Sequence, residues 1–307
     1  MYVLLTGLIL IIDMILDERL YRDITELQGK SEISSAVQLT RIIKPQDAES
    51  ESHKFSTRGV PHYYYGKRDK DTVVVNLNPG KAAKISDKEF EGASEEFKKQ
   101  PIDLFIENYH KEQSTYELKT ENADSFDVKQ AAFLTPWEDS GIDLCQSPDW
   151  NDKKTRNEAA KKVIDNKLQL ELVPYASAKF DFSSRKVNLL FPYVEMILDE
   201  IFAQERKYVI FASGKFEYIF KRYNKIAKTE TFTFGKLFNP DSSLKEIHDG
   251  SDGKLRVKCR AIWIHYKGKT QPALIAHTFP SQGLGKAYDL MQTYGRLCYE
   301  QWCQNVK

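Results

Sequence analysis

A chain of 307 residues, 41% of them hydrophobic and 12% aromatic, can bury a large α/β core, and these values exclude a disordered chain. Its 45 basic and 44 acidic side chains nearly cancel, so a polyanionic partner would have to be drawn by a local patch and not by the field of the whole molecule. Cys145, Cys259, Cys298 and Cys303 form no CxxC pair and no zinc or iron–sulfur spacing, and read as reduced thiols in a cytoplasmic protein.

The opening MYVLLTGLILIIDMIL is apolar, but it is shorter than the ~20 residues of a spanning helix and Asp13 interrupts it. It also lacks a basic n-region and a small-residue cleavage site. It reads as a buried helix or strand, or as the mark of an upstream start, and not as a membrane anchor. Lys30 to Ser56 is polar and charged, with KPQDAESESHK reading as an exposed connection, so residues 1–50 form an N-terminal apolar segment and polar connection and residues 51–307 one α/β domain.

The main domain begins with VPHYYYGKRDKDTVVVNLNPG, two extended segments joined around GKRDKD. Asp87 to Tyr109 has helical spacing, and NDKKTRNEAAKKVIDNK is a second helix capped by Asn151 or Asp152. LQLELVPYAS is a strand ended by Pro174. NLLFPYVEMILDEIFAQERK is a helix with an apolar stripe, YVIFASG a buried strand, and KFEYIFKRYNKI the helix after it. KLRVKCRAIWIHYKGKTQPALIAHTF gives two extended runs around KGKTQP, and a helix from about Gly285 to Cys303 closes the chain. Strands alternating with helices predict a three-layer α/β/α fold with a mostly parallel central sheet.

Ligands of such sheets bind beyond the carboxyl ends of the strands, where loops gather and helix N-termini point inward. Three apolar runs end there in unusual polar or turn chemistry: VVVNLNPG, LQLELVPYAS and ALIAHTFPSQGLG. Together they resemble the uracil-DNA glycosylase superfamily, closest to its mismatch-specific and single-strand-selective branches.

The resemblance runs in order from about Thr72 to Cys303. Asn76-Leu77-Asn78-Pro79-Gly80 is similar to the family's Gly-x-Asn-Pro-Gly, with Asn76 in place of the glycine. Pro280-Ser281 is similar to the end of the family's His-Pro-Ser or Met-Pro-Ser, with Phe279 at the histidine position and His277 one strand period earlier. Glu171-Leu172-Val173-Pro174 keeps the spacing of the base-reading strand end, but Glu171 stands where the family has Asn.

The resemblance implies a monofunctional glycosylase that needs no metal or other cofactor. Its partner would be single- or double-stranded DNA, with neither a membrane nor an obligate protein partner. Breaking a glycosidic bond through an oxocarbenium-like sugar needs a positioned water and stabilisation of the departing base. Asn78 is the implied water holder through its side-chain carbonyl, and His277 or a backbone N–H near Ser281 the implied donor to the leaving oxygen. Asn76, Leu77, Pro79, Gly80, Glu171, Phe279, Pro280 and Ser281 are the implied substrate-binding residues. An ionised Glu171 only accepts hydrogen bonds, which favours an exocyclic amine over a uracil carbonyl.

Each residue also has a plainer role available. Asn78 suits a turn, His277 a packed core position, and Glu171 a paired strand-end carboxylate. Phe90 and Trp137 are equal candidates for the aromatic platform under a flipped base, and both suit a core. Lys254, Arg256, Lys258 and Arg260 alternate along one strand face, where they could contact phosphates or simply face solvent. The Lys221 to Lys228 stretch and the helix bearing Lys153, Lys154, Arg156, Lys161 and Lys162 are similar.

A second class of function is a glycosylase-fold protein that binds nucleic acid or nucleotides without catalysis. An unrelated hydrolase or nucleotide enzyme ranks last, since neither GxSxG nor GxxxxGK[ST] is present.

Overall fold

The computed structural model describes residues 2–30, 32–47, 53–78, 98–114, 125–137, 148–177, 179–238, 258–277 and 288–306. Among them are eight α-helices: α1 Tyr2–Lys30, α2 Ser34–Leu39, α3 Ile102–Ser114, α4 Ser125–Leu134, α5 Lys153–Asp165, α6 Phe191–Phe202, α7 Lys215–Ala227 and α8 Tyr288–Val306. The strands are β1 Tyr64–Tyr65, β2 Thr72–Asn76, β3 Lys167–Glu171, β4 Tyr208–Phe211, β5 Phe232–Phe238, β6 Cys259–Tyr266 and β7 Lys269–Ala276.

The seven strands form one sheet in the order β1-β3-β2-β4-β7-β6-β5. β2 pairs parallel with β4, and β4 with β7, whereas β7 with β6 and β6 with β5 are antiparallel. The fold is α/β as the alternation of elements predicts, but the sheet is mixed and not mostly parallel. The cause is a two-residue turn: Lys267 and Gly268 take φ of 49° and 76°, the left-handed geometry of a tight hairpin. Lys269 to Pro272, expected in the connection, already belong to β7 and face β6.

The chain divides into two units, each assembled from separated stretches. The first comprises Met1–Tyr65, Asn76–Ser114 and Leu170–Glu205; the second Gly66–Val75, Thr115–Gln169 and Arg206–Lys307.

In the first unit, α1 buries Leu16, Leu20, Ile24 and Leu27, an i, i+4 stripe that packs toward α6 and α3. Among the described residues no helix is long and apolar enough to cross a membrane. α1 also carries the fully buried Asp23, whose carboxylate accepts from the hydroxyls of Tyr63 (2.8 Å), Tyr175 (2.6 Å) and Ser35 (3.0 Å). Three neutral donors make burial of this charge tolerable and tie α1 to α2 and to two loop residues.

In the second unit, β4 shows the alternation that builds its two faces. Tyr208 and Ile210 join the core formed with α4, α5 and α8, where Trp137 meets Tyr208 at 5.0 Å between ring centroids. Phe211 turns the other way onto Phe216 and Phe220 of α7. α7 buries Phe216, Ile219, Phe220 and Tyr223, the i, i+3, i+4, i+7 set expected of an amphipathic helix. On the first of these faces α4 and α8 cross so closely that a Cβ on Gly295 would lie 1.9 Å from the Phe133 carbonyl oxygen, so only glycine fits. α5 starts at Asp152, whose carboxylate accepts from the Thr155 N–H at 2.7 Å, an N-cap legible in the sequence.

Candidate active site

In the first unit, pairing continues just past the strand ends: Leu172 N–H donates to Asn76 O and Val173 N–H to Leu77 O, both at 2.9 Å. Inside this turn the Asn76 amide donates to Glu171 Oε1 at 3.1 Å, with Asn76 5% and Glu171 1% exposed. The Asn76 amide thus reaches one oxygen of a buried carboxylate. Glu171 faces inward as the partner of Asn76, and its backbone N–H reaches Tyr63 O.

Asn78 lies two residues beyond β2 and is half-buried, as is Leu77. Its amide nitrogen donates to Ser177 Oγ at 2.9 Å and to Ser177 O at 3.2 Å. Ser177, itself buried, donates onward to Lys179 O at 3.1 Å. The nitrogen end of the Asn78 amide is therefore committed to the protein, which fixes its carbonyl end as the acceptor end. Pro79, Gly80 and Phe90 lie outside the described residues.

In the second unit, His277 follows directly on β7. Its backbone N–H donates to Lys258 O at 3.0 Å, and its carbonyl accepts from Gly214 N–H at 3.3 Å, joining the end of β7 to the start of α7. The imidazole Nε2 lies 2.7 Å from Glu217 Oε2 in the first turn of α7. Arg260 Nε is 3.2 Å from the same carboxylate oxygen, and Lys221 pairs with the other. Burial acts to raise the Glu217 carboxyl, but hydrogen bonds from Lys221 and His277 and the charge of Arg260 outweigh it and hold it below the usual carboxylate range. An ionised carboxylate only accepts, so Nε2 carries the proton in this pair. His277 Nδ1 is buried with no hydrogen-bonding partner among the described residues.

Phe279, Pro280 and Ser281 lie outside the described residues. Trp137 is 1% exposed among Phe133, Tyr208, Tyr299 and Trp302, so it serves the core and not as a platform for a base. Of the alternating cations, Arg260 is engaged with Glu217 and the Gly235 carbonyl, Lys258 is half-buried, and Lys254 and Arg256 lie outside the described residues. Lys153, Lys154, Lys161 and Lys162 are exposed on α5, whereas Arg156 lies over the Tyr288 ring. Among the described residues no group of three or more His, Cys, Asp or Glu side chains is arranged to hold a metal.

Sequence reasoning missed Glu217, Ser177 and Gly214. The one signal for Glu217 was an acidic residue in the first turn of a helix that follows a buried strand. Comparison with protein-family models, with curated proteins and with solved structures finds no match to this chain.

Proposed function

We propose that this protein is a divergent, monofunctional DNA base-excision glycosylase with a uracil-DNA glycosylase-like fold, hydrolysing the N-glycosidic bond of uracil or another modified base. The observation that carries this reading is placement: Asn78 stands just beyond the carboxyl end of β2, in the parallel part of the sheet, with its amide nitrogen held by Ser177. The strand order runs from β2 to β3 on one side and to β4 on the other, which makes the end of β2 a topological switch point. Open α/β sheets bind ligands at such points.

In this reading the Asn78 carbonyl holds the attacking water, in the orientation that its amide bonds to Ser177 enforce. Water oxygen bonds to the sugar carbon as the carbon–nitrogen bond breaks, the base leaves with the bonding electrons, and the proton that the water loses passes through solvent to the base anion. An amide is a weaker activator than a carboxylate, so the reading predicts a slow enzyme.

A second reading, a glycosylase-fold protein that binds nucleic acid without base release, is favoured by one observation. Glu171, at the position of the family's base-reading Asn, is 1% exposed and engaged by Asn76. The two readings separate on a panel of single- and double-stranded oligonucleotides carrying uracil, other deaminated bases or mismatches. Alkali-labile abasic sites from at least one substrate support the glycosylase. Salt-sensitive binding with no abasic product from any of them supports the binder.

A further inference from the structure

The apolar side of α7 is buried on the sheet, where Phe216 and Phe220 meet Phe211 of β4. Tyr218, Lys221, Arg222 and Lys225 occupy about 100° of the opposite side, away from Phe216, Ile219, Phe220 and Tyr223. The helix carries four cations, Lys215, Lys221, Arg222 and Lys225, against one acid, and Lys228 stands at its C-cap. That acid, Glu217, is already occupied by His277, Arg260 and Lys221. Arg222 and Lys225 make no ion pair among the described residues. The outer side of α7 therefore holds a local excess of positive charge in a chain whose formal net charge is only +1.

Aromatic rings stand among these cations. Tyr218 is 38% and Ile226 46% exposed, and with Arg222 between them they form an i, i+4, i+8 row along the helix. On the neighbouring strand, Phe232 of β5 stacks on Phe220 at 3.9 Å between centroids. Phe234, two residues further on, comes to the same face of the sheet, half-buried, with Lys221 Nζ 5.5 Å from its ring centroid.

We propose that the outer face of α7, with Phe234 beside it, binds single-stranded DNA, its cations on the phosphates and Tyr218 and Phe234 against unpaired bases. Cations tracking a backbone, interleaved with rings on which bases stack, are what a single strand requires. A duplex keeps its bases stacked inside and would leave both rings unused. A membrane surface fits less well, because an amphipathic helix enters lipid through its apolar side, and that side of α7 is covered by the sheet. The choice of DNA rests on the glycosylase reading; the surface itself does not, and all its residues belong to the second unit.

The test is fluorescence anisotropy of labelled oligothymidylate titrated with the full-length protein over a range of salt. Arg222→Gln/Lys225→Gln is expected to weaken binding at least about tenfold and to make the log–log salt dependence shallower by about 1.4, the share of two phosphate contacts on a single strand. Tyr218→Leu is expected to weaken it about fivefold to a hundredfold with the salt dependence unchanged, as loss of one stacked base does. Lys153→Gln/Lys154→Gln, which removes the same charge from α5, is expected to leave the affinity nearly unchanged. No binding by the wild type at low salt, an α5 pair that costs as much as the α7 pair, or wild-type binding by Tyr218→Leu overturns the surface. Polyglutamate competing as strongly as oligothymidylate assigns the face to an acidic protein, and equal affinity for oligouridylate removes the preference for DNA; either overturns the proposal. Base release is followed in the same samples. Weakened binding in the α7 variants of a protein that releases no base keeps the surface and fails the glycosylase reading; release by the wild type with full binding in the variants does the reverse.

Discussion

Glu171 and Glu217 each hold a hydrogen bond from a residue at a strand end, yet they are secured by different physics. Glu171 is 1% exposed and accepts from the neutral amide of Asn76. Glu217 keeps 15% of its side chain exposed and is surrounded by His277, Arg260 and Lys221. The first arrangement is fixed by burial and geometry, so salt barely reaches it. The second is fixed by charge near solvent, so salt screens it and acid weakens it. A strand end built the first way is scaffold; one built the second way can answer to a ligand.

The largest effect expected from this contrast is on stability. Glu171→Ala removes a buried acceptor, leaves the Asn76 amide unsatisfied and opens a cavity, a loss of about 3 kcal/mol in urea unfolding. That loss should be nearly equal at low and high salt. A loss that shrinks with salt would place Glu171 in the same class as Glu217 and dissolve the distinction.

The smaller effect is at Glu217, and its sign follows from the lowered carboxyl. The folded protein binds this proton less readily than the unfolded chain. The stabilisation is therefore complete above the ordinary Glu value of about 4.5 and is lost as pH falls through the lower folded value. Glu217→Gln should cost at most about 1 kcal/mol near neutrality, as partly solvated ion pairs do, and flatten the acid side of the stability profile. If the variant's profile parallels the wild type's from neutral to acid pH, the ion-pair account of Glu217 is wrong.

How far the sequence revealed these features depends on the range of the forces involved. The β-branched run Val73 to Val75 and the helix periodicity of Phe216, Ile219, Phe220 and Tyr223 are local patterns, and both are legible. The Asp152 cap is legible for the same reason. The antiparallel half of the sheet is not, because it hinges on Lys267 taking a left-handed conformation that its residue type does not advertise.

The site residues follow the same rule. Asn78 and His277 stand out by type at strand ends, whereas their partners lie far away in the chain. Ser177 is 99 residues from Asn78, and Glu217 is 60 from His277. Arg260 looked like a free cation on a strand face, and only the tertiary structure shows that it serves Glu217.

The most direct test of the account is single-turnover base release by Asn78→Ala, with DNA affinity measured in parallel. The account predicts release at least about a hundredfold slower than the wild type, with binding little changed, because the amide that holds the water is removed together with its anchor on Ser177. Release at the wild-type rate, with Asn78 reduced to alanine, would contradict it.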